Sequence, residues 1–132
     1  MKRFFLCLIL VFFIQGISWA GNQNIDEERI YTETEVDLKP SFPGGNSAMK
    51  AFIQKKLKWP NEYGNSGNVI VSVVITKKGR IMNSRVKRTL CTFCDLEAMR
   101  VLKKMPRWLP GKLNGKRVNT EVQIPIRFEI TI

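Results

Sequence analysis

The chain has 132 residues, 44% of them hydrophobic, with 22 Lys or Arg against 11 Asp or Glu and a formal net charge of +11. That length suits one domain with a single core. There is no histidine, which removes the commonest metal ligand and general base, and with them any Ser-His or Cys-His nucleophile within the chain.

Met1-Lys2-Arg3 leads into the apolar run Phe4 to Ile14 and then Ser18-Trp19-Ala20. Residues 1–20 read as a secretory signal peptide cut after Ala20. An uncleaved inner-membrane anchor is the alternative, but Gln15 and Gly16 interrupt a run already short of the ~20 apolar residues that a spanning helix needs. Export implies an oxidising compartment. It also sets nucleic acid last among the anionic partners that a basic chain attracts, behind an acidic peptide or a membrane surface.

Charge is uneven along the chain. Residues 21–38 hold six acids and one base, whereas residues 39–132 hold five acids and nineteen bases. The first stretch reads as a flexible acidic segment ahead of a domain at 39–132. Ile30 to Leu38 alternates weakly, enough for a short N-terminal strand with Ile30, Thr32, Thr34 and Val36 on one side.

Ser41-Phe42-Pro43-Gly44-Gly45 breaks the chain. Asn46 or Ser47 then caps a helix with Met49, Phe52, Ile53 and Leu57 on one stripe. It stops before Trp59-Pro60, since the residue before proline is pushed out of the helical region. Val69 to Thr76 is β-branched and apolar on both faces, as in a central strand. Lys77-Lys78-Gly79 turns it into an antiparallel partner, Arg80 to Lys87, and the change of parity between Ile81 and Val86 places a bulge near Asn83. Asp95 caps a second helix with Ala98, Met99, Leu102 and Met105 on one face, ended by Pro106. Arg107 to Gly111 and Asn114-Gly115 read as turns. From Val118 to Ile132 the chain alternates strictly, even positions apolar. That even face is expected to pack on Met49, Phe52, Ile53, Leu102 and Met105. Pro125 has no N–H for a ladder, so one side of this strand is an open edge or a bulge.

Cys91 and Cys94 have redox-motif spacing at a helix start. A thiol oxidoreductase would carry that motif after the first strand of a βαβ unit, whereas here it precedes the last helix of an antiparallel pattern. A structural disulfide between them fits the context better. Arg85, Lys87 and Arg88 read as a solvated strand face without the aromatic platform of a single-strand binder. The carboxylates form no pair on a shared concave face, and solvation accounts for them. Gly44-Gly45 and Gly64 to Gly67 lack the lysine or serine of a phosphate loop. No cofactor, metal site or catalytic group is expected.

Taken together, Phe42-Pro43-Gly44-Gly45, Trp59-Pro60, Gly67-Asn68-Val69, Lys78-Gly79-Arg80-Ile81 and Leu96 to Val101 resemble the C-terminal domain of TonB, the periplasmic energy transducer of outer-membrane transport. Met105-Pro106-Arg107-Trp108-Leu109-Pro110-Gly111-Lys112, Asn114-Gly115-Lys116 and Ile124-Pro125-Ile126-Arg127-Phe128 complete the pattern, which runs from about Pro40 to Phe128. The Phe-Pro-Gly-Gly opening and the Cys-x-x-Cys are similar to Bacteroidetes-type members.

The resemblance implies an α+β fold, two helices packed on a small antiparallel sheet of three main strands, with the terminal strand at its edge. It implies as partner an outer-membrane TonB-dependent receptor, whose short extended TonB box peptide adds to that edge as a strand. By the match, Lys58, Trp59 and Pro60, with Val122, Gln123, Ile124, Pro125, Ile126 and Arg127, lie along the peptide. Family transducers carry an anchor and a long Pro-rich spacer. Here residues 21–38 contain no proline and span at most ~60 Å extended. Engagement of an inner-membrane motor is therefore not expected, and the chain reads as a free-standing periplasmic module. Two other readings remain: an exported thiol-disulfide protein, and a module that self-associates into a homodimer through the same edge strand.

Overall fold

The computed structural model describes residues 28–58 and 66–129. The expected signal peptide and the Trp59-Pro60 pair lie outside them. The chain forms β1 (Ile30–Thr32), α1 (Gly45–Lys56), β2 (Gly67–Ile75), β3 (Ile81–Arg88), α2 (Thr92–Lys103), β4 (Gly111–Leu113) and β5 (Lys116–Phe128). The sheet order is β1-β5-β2-β3, with β4 pairing the start of β5. β2 lies antiparallel to β3 and β5, while β1 runs parallel to β5, so the α+β fold has a mixed sheet.

β2 is the central strand that its composition implies. Val69, Val71, Val73 and Ile75 are fully buried, and Ser72 and Val74 on the other face are also covered. Gly79, at φ +80, closes the turn into β3 by donating its N–H to the Thr76 carbonyl. The register between β2 and β3 slips between Ser72 and Val74, opposite Asn83 at φ +52. This is the bulge expected from parity, an extra residue on the partner strand.

The two helices lie on one face of the sheet. Met49 and Ile53 of α1 and Ala98, Val101 and Leu102 of α2 close over Val122, Ile124, Ile126 and Phe128 of β5, with Phe52, Leu57, Met99 and Met105 packed around them. β5 buries its even positions from Val118 to Phe128, and Phe128, wholly enclosed, is among the largest side chains in the core. Opposite this face, Ser72 donates to Glu121 (2.5 Å), which also accepts from Arg85 (2.9 Å). These two bonds, Ser72 first, hold the Glu121 carboxyl below its ordinary range.

Several local expectations are corrected. α1 begins at Gly45 with Gly44 as N-cap and no side-chain cap, so Asn46 and Ser47 lie within its first turn. The N-cap of α2 is Cys91, whose Sγ accepts from the Cys94 N–H at 2.9 Å. Asp95 instead accepts from the Thr89 hydroxyl and the Leu90 N–H in the preceding corner. In β1 the buried residue is Tyr31, while Ile30 is exposed. Tyr31 stands opposite buried Thr120 with the Arg29 guanidinium 4.7 Å from its ring centre. The Arg107–Gly111 stretch also does more than turn. Trp108 is buried edge-on to Phe42 at 5.8 Å, and Gly111 opens β4.

Candidate functional site

β5 is the longest strand, and the question is which of its backbone groups are spoken for. β2 takes one side from Thr120 to Phe128, and β1 takes the other at Asn119, Thr120 and Glu121. From Val122 to Arg127 no described residue pairs with that second side. The chain leaves the edge after Thr32, where Glu35 donates its N–H to the Thr32 carbonyl and turns the segment away.

The direction of each peptide group follows from the β2–β3 turn. Thr76 donates to the Arg80 carbonyl and accepts from the Gly79 N–H, so its backbone faces β3. Backbone groups alternate sides along a strand. Val69, Val71, Val73 and Ile75 therefore face β5, and bond with their partners Ile126, Ile124, Val122 and Thr120. Gln123, Pro125 and Arg127 face the open edge. Of the terminal-strand residues expected along a peptide, Val122, Ile124 and Ile126 are buried with their peptide groups turned to β2, and Gln123, Pro125 and Arg127 are the ones presented.

Beside that edge lies a groove of about 370 Å³, lined by Lys50, Ile53 and Gln54 of α1, by Asn68, and by Pro125, Arg127 and Glu129. The Arg127 guanidinium bonds to the Glu129 carboxylate, which leaves Lys50 as the lining cation with no ion pair among the described residues. Larger hollows of about 480 and 460 Å³ lie at the far end, around the β2–β3 turn and the last turn of α2. The first of these borders β3, whose outer side no described strand pairs. There the bulge at Asn83 and the charged Arg85, Lys87 and Arg88 blunt strand addition. β5 keeps an unbroken register with β2 and carries no such bulge.

Lys58 lies just past α1, exposed, and its N–H donates to Glu97 Oε1 at 2.7 Å. Glu97, only 6% exposed, also accepts from Arg100 Nε (2.8 Å) and Nη2 (2.5 Å), and Arg100 reaches on to the Lys56 carbonyl at 2.7 Å. The Arg100 guanidinium, and after it the Lys58 amide, hold the Glu97 carboxyl below its ordinary range against the opposing effect of burial. This clamp ties the end of α1, immediately before Trp59-Pro60, to α2. Reading the carboxylates as solvated missed it. Glu97 and Arg100 stand three apart on one helix face, which was the available signal.

Cys91 and Cys94 form the expected disulfide, Cα atoms 5.0 Å apart, with Cys94 enclosed in the core. Among the described residues no group of His, Cys, Asp or Glu could hold a metal ion, and no helix is long and apolar enough to cross a membrane.

No significant match exists among curated proteins. Among solved structures, the solution NMR structure of the Helicobacter pylori TonB C-terminal domain is 20% identical, covers 63% of this chain and 90% of its own, and superposes with a TM-score of 0.49. The family of Gram-negative bacterial TonB protein C-terminal domains matches residues 61–130, more than half of the chain. This chain belongs to the TonB C-terminal family.

Proposed function

We propose that the protein is a periplasmic, non-catalytic module that takes the short extended TonB box peptide of an outer-membrane receptor as an added strand on β5. The observation that supports this reading is the backbone edge from Val122 to Arg127, which no described residue pairs on its outer side, beside a groove lined by α1. Main-chain bonds to Gln123 and Arg127 supply affinity, and the groove selects the side chain beside Pro125. The family resemblance assigns Lys58, Trp59 and Pro60 to the peptide as well; of these, Lys58 has its backbone N–H held by Glu97. The basic surface steers a receptor segment carrying acidic residues.

Titrating a synthetic receptor-box peptide into ¹⁵N-labelled protein tests this. The amide signals of Gln123 and Arg127, which face outward, should shift most among β5 residues. A spectrum unchanged at millimolar peptide refutes the reading.

A further inference from the structure

An exposed strand edge is a template for pairing with another chain, and the same edge of a second copy is one such strand. Two-fold antiparallel pairing of Val122–Phe128 with itself has its centre at residue 125. Gln123 then stands opposite Arg127 at each end, and Pro125 stands opposite Pro125 in the middle. All three residues face outward, so these are the hydrogen-bonded positions.

At the central pair neither residue has an N–H to give. Each ring carbon occupies the place of the missing hydrogen. With donor and acceptor normally ~2.9 Å apart, it is driven into the opposing carbonyl oxygen. Sliding the register by two residues does not help. In one direction it brings in Glu121, which β1 already covers, and in the other Glu129, which lies past the end of β5. A slide of one residue sets outward groups against groups that bond to β2.

A foreign strand meets only one such ring. It keeps both bonds at Gln123 and both at Arg127, and bows outward by a bulge opposite Pro125, where the groove of Lys50, Ile53 and Gln54 opens.

We infer that Pro125 makes the open edge of β5 selective, rejecting a second copy of this chain while admitting a foreign extended peptide that bows away from the edge at that position. The rejection of self rests on the edge geometry alone. The admission of a peptide rests on the function proposed above.

The test is sedimentation velocity of the wild type, Pro125→Ala and Pro125→Thr from about 10 μM to 1 mM, in buffer with 0.5 M salt to screen repulsion between basic copies, with circular dichroism confirming the fold. The wild type should stay monomeric, and both variants should form dimers that dissociate on dilution. Adding Gln123→Pro to Pro125→Ala should restore the monomer. In the peptide titration, Pro125→Ala should bind roughly two- to tenfold tighter through the regained donor. Folded variants that remain monomeric at 1 mM, or a wild type that dimerises through Val122–Phe128, overturn the inference. Dimerisation of the variants without peptide binding by any form leaves the selectivity against self standing and removes the proposed function.

Discussion

Replacing Glu97 tests whether the clamp between α2 and the end of α1 contributes to stability. Glu97→Ala leaves the Lys58 N–H and the Arg100 guanidinium without their acceptor. An unpaired donor at a buried site costs about 1–3 kcal/mol. Because the Arg100 side chain is 31% exposed, water recovers part of its loss, and a total of about 2 kcal/mol is expected. Glu97→Gln keeps a carbonyl oxygen for Lys58 and gives up the charge-assisted part, costing about 1 kcal/mol.

The folded carboxyl is held below its ordinary value by Arg100 and Lys58. Its stabilisation is therefore complete above the unfolded value of ~4.3 and disappears as pH falls through the lower folded value. Urea denaturation from pH 7 to pH 3 should show a nearly constant gap between wild type and Glu97→Gln down to about pH 5, narrowing below it. Glu97→Ala combined with Arg100→Ala should cost less than the sum of the two single changes. A Glu97→Ala effect within about 0.5 kcal/mol of zero, or a gap to Glu97→Gln that persists unchanged in acid, would refute the clamp.

Gly79 and Gly115 have nearly the same positive φ, +80 and +76, but a Cβ at Gly79 would sit 2.1 Å from the Trp108 carbonyl oxygen, whereas one at Gly115 meets nothing within 4 Å. Gly115→Ala should cost about 1 kcal/mol from backbone strain alone, and Gly79→Ala about 3 kcal/mol once the Trp108 segment must move. Equal urea midpoints for the two variants would deny that close approach. Reducing the Cys91–Cys94 bond opens the small loop it closes between residues three apart and should lower stability by about 2 kcal/mol on the chain-entropy account, leaving the protein folded. Since Cys94 is enclosed, turnover in an insulin-reduction assay is not expected, and observing it would favour a thiol enzyme.

What could be read from the residues was local. Strict alternation from Val118 announced β5 and its buried even face, and the parity break between Ile81 and Val86 announced the bulge at Asn83. The Met49–Ile53 and Ala98–Leu102 stripes announced both helices and their inner faces. Caps were harder, because Asn46, Ser47 and Asp95 are all competent cap residues, and the choice fell to glycine geometry before α1 and to the disulfide corner before α2. Trp108 was hidden among turn residues because its burial comes from Phe42, more than sixty positions earlier in the chain. Glu97 was hidden because its carboxylate is paired with a backbone amide across the fold.

The sequence by itself determined which side chains of β5 point inward and that Pro125 lacks a donor, because side-chain direction alternates with position and proline's chemistry needs no context. Only the tertiary structure decided which backbone side meets β2, that β1 stops at Glu121, and that Pro125 therefore stands in the middle of the edge that no described strand covers. Those facts depend on strands far apart in the chain finding one register. The hydrogen-bonding partner of a peptide group is set by whichever strand arrives beside it, and that neighbour is not encoded in the group's own surroundings along the chain.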